Sequence, residues 1–131
     1  VGEGYGKVSW SVRAIWENYA GWFHHRSTTE LYPVPPNATH GDLVQLAGGA
    51  EAVAARAAAR LEEGAAVEAI QLAEVALSAE PANVAALEVM IGAHEVLEGK
   101  SENFWLTQWL RKQLEDLRSS LDAARERECK S

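Results

Sequence analysis

Four histidines, one cysteine and several neighbouring acids are the side chains from which this sequence could build a catalytic or metal centre. Successive helical residues project about 100° apart, so a helix presents two ligands to one ion only when they stand about one turn apart. His24 and His25 are adjacent and do not meet that condition. His40 falls in a loop-like stretch and His94 in a helical one, and no His-x-x-x-His or Cys-x-x-Cys pair anchors either. All four histidines are therefore expected to be surface or structural residues. Glu62-Glu63 and Glu102 have the chemistry of a general acid or base, but carboxylates on helical faces are what an acidic protein presents to solvent. Gly2-x-Gly4-x-Gly6 imitates a phosphate loop without a preceding strand, and no G-x-S-x-G, P-loop or G-x-G-x-x-G occurs. Asn37-Ala38-Thr39 fits a glycosylation sequon, a short pattern that chance produces often. The expectation is a chain with no catalytic, cofactor-binding or metal-binding residue.

What stands out instead is tryptophan. Trp10, Trp16, Trp22, Trp105 and Trp109 make up half of the ten aromatic residues, and tryptophan is enriched among the anchors of protein interfaces. With Phe23 they form the predicted interface set.

The elements that must position these residues read as helices. Val8, Val12, Ile15, Tyr19, Trp22 and Phe23 recur at helical spacing, which predicts a helix over 8–23 with that stripe turned inward. Trp10 and Trp16 lie off the stripe and are expected to meet another surface. Pro33, Pro35 and Pro36 bar a helix from a connector over 26–38. Thr39 or Asp42 is expected to cap a short helix through Leu43, Val44 and Leu46, which Gly48-Gly49 stops. Helical hairpins then occupy 40–98, the first helix running from Ala50 to Glu63 and closing at Gly64.

From Gly64 to Asn83 the spacing resembles the second helix of a tetratricopeptide repeat. Ala69, Ala73 and Ala76 supply small residues for a close helix approach, and Pro81 ends the helix. Leu87 and Met90 stand where a following helix would place its first large packing residues, whereas Arg56 and Arg60 depart from the repeat. One and a half repeat-like units are too few for an independent array, which needs at least about three. A last helix over 102–126, capped by Ser101 or Asn103, carries Trp105, Leu106, Trp109, Leu110, Leu114, Leu117 and Leu121 as one apolar face. Its tail, Arg125-Glu126-Arg127-Glu128, is expected to fray.

The fold class is thus all-α, a multi-helix domain with a tetratricopeptide-like hairpin, within the size range of one domain at 131 residues. The net charge of −7, with twelve cations dispersed among nineteen acids, argues against nucleic acid as a partner, because phosphate binding needs clustered positive charge. The single cysteine, Cys129, rules out an internal disulfide, and no apolar run approaches the about 20 residues of a membrane span. Val1 follows neither an initiator Met nor a basic leader, so the chain is expected to be a piece of a longer protein.

Tyr5-Gly6, Ser9 and Val12-Arg13-Ala14-Ile15-Trp16, followed by Tyr19-Ala20-Gly21-Trp22-Phe23, resemble the start of the dimerisation domain of metallo-β-lactamase-fold alkyl sulfatases. Leu46-Ala47-Gly48-Gly49-Ala50, the hairpin ending at Pro81 and Asn103-Phe104-Trp105 extend the likeness in family order over most of the chain. The resemblance implies a homodimerisation domain over 1–131 that follows a zinc-dependent hydrolase domain in a bacterial parent, either cytoplasmic or exported. The family's His-x-His-x-Asp-His ligands belong to that preceding domain, so none is carried over here. Trp10-Ser11 and His24-His25-Arg26-Ser27 depart from the best-known branch, which implies a related one. The alternative, from a different class, is a short tetratricopeptide-like module that binds peptides in a concave groove with Asn83 exposed along it.

Overall fold

Alanine is the best helix former and its side chain is small enough to let helix backbones approach, and both properties govern residues 50–93. A computed structural model describes residues 4–32, 34–35 and 37–130. In chain order these contain helices α1 (Val8–Ala20), α2 (His40–Ala47), α3 (Ala50–Glu62), α4 (Ala66–Ala79), α5 (Val84–Gly99) and α6 (Phe104–Cys129). A short 3-10 turn, Thr28–Leu31, lies between α1 and α2. No strand occurs among the described residues, so the all-helical expectation holds. Of the connector prolines, Pro33 and Pro36 lie outside the described residues.

The centre is an alanine core. Ala54 and Ala57 of α3, Ala69, Ala73 and Ala76 of α4, and Ala86 and Ala93 of α5 are all buried, with Val53, Val89 and Met90 among them. Among the described residues, no large side chain is fully enclosed. The helices pack closely instead of interleaving long side chains; Gly92 of α5 continues this, since a Cβ there would stand 3.1 Å from Leu61 of α3. Arg56 and Arg60, the misfits of the repeat pattern, point outward and share Glu63 at 3.7 and 2.8 Å. The α2 helix packs on α3 and α4 through Val44 and ends at Gly48, whose φ of 94° is left-handed and favours glycine.

Asn83 joins the first turn of α5 to the first turn of α3. Its Oδ1 accepts the Ala86 N–H at 2.9 Å, capping α5, while Nδ2 donates to Glu51 of α3 at 2.9 Å. The side chain is buried. The exposed, groove-lining role expected of Asn83 under the peptide-binding alternative is thereby overturned, because both ends of its amide are occupied within the fold.

The α6 helix lies along α5. Leu110, Leu114, Leu121 and Ala124, stepping by four, seven and three, are buried, with Leu117 packed beside them. Ion pairs Arg111–Glu98, Arg118–Glu95 and Arg125–Glu88, at 2.8, 2.7 and 2.6 Å, run up α6 and down α5, so the helices are antiparallel. The expected fraying of the tail is corrected: α6 stays helical to Cys129, because Leu121 and Ala124 pack with Leu87 and Arg125 reaches back to Glu88. The single apolar face expected of this helix also divides. Trp105 and Trp109 are exposed, and the leucines one step round the axis take the buried side.

Candidate assembly surface

The α1 helix has little local support. Its N-cap, Lys7, makes no side-chain capping bond, its first turn has no acid and its last no base. One exposed ion pair, Arg13–Glu17 at 2.9 Å, braces it. Isolated helices shorter than about 12–15 residues are marginal in water, and α1 has 13. Tertiary packing normally makes up the difference, yet α1 packs on no other helix among the described residues and buries none of its own. The inward stripe expected from Val8, Val12, Ile15 and Tyr19 is therefore corrected: all four are exposed, Tyr19 at 86%. Helical spacing marks an apolar face, but no other described helix of the chain packs on it.

The helix is also shorter than expected, ending at Ala20 instead of 23. Gly21 adopts φ 79° and ψ −177°, a region open essentially to glycine alone, and turns the backbone out of the helix. Trp22 and Phe23 therefore leave α1 and enter a separate aromatic corner. There the Phe23 ring lies 4.3 Å from that of His25 and 6.0 Å from that of Trp22.

Glu30 holds this corner. Its carboxylate accepts the backbone N–H groups of His24 at 2.6 Å and Arg26 at 3.2 Å, while Ser27 caps the 3-10 turn. The His24 N–H holds the Glu30 carboxyl below its ordinary value, with smaller help from the Arg26 N–H and the His24 charge. The His24 ring donates from Nδ1 to the Trp22 carbonyl at 2.7 Å.

A clasp between described residues links the start of the arm to the bundle. The Phe104 N–H donates to the Gly4 carbonyl at 2.7 Å, and the Tyr5 and Phe104 rings pack with centroids 5.7 Å apart. Trp105 meets Phe104 edge-on. Tyr5 and Phe104 were missed as a pair by sequence reasoning, because a contact across 99 positions leaves no periodic signal.

Of the predicted interface set, Trp10, Trp16, Trp22, Trp105 and Trp109 are all exposed on this chain, and Phe23 is half-buried. They form two groups: Trp10, Trp16, Trp22 and Phe23 on the arm and its corner, and Trp105 and Trp109 on the outer face of α6. Leu43 and Leu46 of α2 add exposed apolar surface that periodicity did not single out. Such large exposed apolar side chains are more than a soluble surface needs for solvation.

The histidines hold structural or exposed positions. His94 is buried and donates from Nδ1 to the Met90 carbonyl at 2.7 Å, and His40 lies 3.2 Å from the Ser78 hydroxyl. Among the described residues, no group of three His, Cys, Asp or Glu side chains is placed to hold a metal ion. No described helix is long and apolar enough to cross a membrane.

The folded bundle, the arm that packs on no other described helix and the exposed tryptophans together describe a helical domain with large apolar side chains on its surface. The family model for alkyl sulfatase dimerisation matches residues 1–120, and the chain belongs to that family. It is 33% identical over 99 residues to an (R)-specific secondary-alkylsulfatase of a Pseudomonas species, covering 76% of this chain and 15% of the relative. Identity is also 33%, over 98 residues, to an alkyl/aryl-sulfatase of Saccharomyces cerevisiae, covering 75% of this chain and 15% of that protein. The solved structure of a double mutant of the sec-alkyl sulfatase PisA1 superposes with a TM-score of 0.78 at 30% identity, over 90% of this chain and 18% of the other. The chain thus spans less than a fifth of the length of these proteins.

Proposed function

We propose that this domain pairs two copies of a hydrolase of the alkyl sulfatase type and takes no part itself in bond cleavage. The observation that carries the reading is α1, a short helix whose apolar stripe no other described helix covers. A second copy supplies that surface at no cost in new sequence, and a two-fold contact places the same tryptophans on both sides. Trp10, Trp16, Trp22 and Phe23 are the first candidates for the contact, with Trp105 and Trp109 on α6 as its extension. An obligate pairing of this kind would bury about 1,600 Å² or more in total.

The parent's chemistry is assigned to a preceding metallo-β-lactamase-fold domain that carries zinc, a reading that rests on the family resemblance and agrees with the lack of a metal-ligand cluster among the described residues. The names of the relatives support a sulfate ester as the class of bond hydrolysed. Sedimentation velocity on the 131-residue chain at micromolar concentration tests the assembly role. The expected result is a dimer that dissociates on dilution, and a clean monomer at every concentration overturns the reading.

A further inference from the structure

A helix in a folded protein is held by its caps, by its packing, or by both. The helices α2, α3 and α4 begin without a side-chain cap, but each packs on at least two others. The helices α5 and α6 have a cap, from Asn83 and Asn103, and a packed face as well. Among the described helices α1 alone has neither. Its composition does not make up the difference. Nine of its 13 residues are β-branched, aromatic, serine or asparagine, all weaker helix formers than alanine, because they lose side-chain freedom in a helix or compete for the backbone. Nucleation fixes several residues for one hydrogen bond, so a segment this short and this poor in strong helix formers remains mostly coil in water.

We infer that the helix of α1 belongs to the paired state: Val8–Ala20 is largely unfolded in a single chain and winds up as a second copy covers its apolar stripe. The inference rests on the pairing reading above and adds that association and folding of the arm are one equilibrium. Ordering the segment then draws on the free energy of the contact, as in any binding coupled to folding. Each dimer orders two arms, so a change in helix propensity enters the dissociation constant twice. In a helix already formed in the single chain, the same change would act on both states alike and leave the dissociation constant where it was.

Hydrogen exchange read by mass spectrometry on the 131-residue chain, above and below the dissociation constant found by sedimentation, follows the arm directly. Amides from Val12 to Ala20, which donate within α1, should exchange slowly in the dimer and at coil rates in the dissociated chain. Those of Ala69, Ala73 and Ala93, buried in the bundle, should stay protected in both. Two variants change helix propensity at exposed positions outside the stripe. Ala14→Gly should weaken the dimer by about 20-fold, about fivefold for each of two arms. Asn18→Ala shortens a side chain and should nonetheless tighten the dimer, by up to about tenfold, whereas loss of a contact would have the opposite sign. The inference is overturned if the α1 amides are as protected in the dissociated chain as in the dimer, if they exchange at coil rates in both, or if both variants leave the dissociation constant unchanged. Any of these in a chain that does pair overturns the inference alone. A chain that stays monomeric at every concentration overturns the pairing reading and the inference with it.

Discussion

The α3–α5 bundle and the α1 arm both consist of helices with apolar stripes, yet one is complete within the chain and the other is not. In the bundle, each alanine stripe meets another at close range, and Asn83 satisfies the start of α5 while holding it to α3. In the arm, larger side chains with more apolar area to bury remain in solvent. Aromatic content alone therefore does not indicate a core. Small residues with matched neighbours, joined by leucines of α5 and α6, form the self-contained part of this protein, and the large aromatic residues of the arm stay exposed.

The comparison breaks most sharply under substitutions that separate folding from association. Leu114→Ala removes a buried side chain between α6 and α5 and should lower stability by about 2–5 kcal/mol, measured by urea unfolding. Trp16→Asp alters an exposed residue and should leave the unfolding of dissociated chains within about 0.5 kcal/mol of the parent. Pairing should respond in the opposite order: Trp16→Asp is expected to weaken the dimer by about 30-fold or more, in line with an interface anchor worth about 2 kcal/mol. If Trp16→Asp instead unfolds the isolated chain and leaves the dimer intact, the arm is part of the core and the distinction fails. Trp109→Asp sharpens the same test. Combined with Trp16→Asp, it should give a non-additive loss if α6 and the arm share one contact, and an additive loss if they serve separate ones.

How much of this was legible in the sequence follows the same division. The alanine positions Ala69, Ala73 and Ala76 were readable because local spacing and local packing agree in the bundle, and Gly48 and Pro81 marked real stops. Periodicity failed at Val8, Val12, Ile15 and Tyr19 because it shows that a face is apolar, not which chain covers it. The helix end at Gly21 was missed because Trp22 and Phe23 continue the stripe by count, while backbone conformation decides against them. The tail of α6 was read as frayed from its mixed charge, since the partner of Arg125 lies 37 positions away on Glu88. Asn83 was read as available for a ligand because its capping role depends on Glu51, on another helix.

The smallest expected effect lies within the arm itself, at Glu30. Its folded-state value is depressed, because the carboxylate accepts the His24 and Arg26 N–H groups and a protonated carboxyl would hold them more weakly. The contribution is therefore fully present above the unfolded value, about 4.3 for glutamate, and is lost as pH falls through the lower folded value. The group is exposed, so the consequence should be local. On acidification, the amide resonances of His24 and Arg26 should shift and those of Ala69, Ala73 and Ala93 should not. Glu30→Gln should reproduce the acidic state of the corner at neutral pH while leaving helical circular dichroism unchanged. A change in the bundle amides over the same interval would show that the corner and the bundle are coupled, which the lack of packing between α1 and the other helices among the described residues argues against.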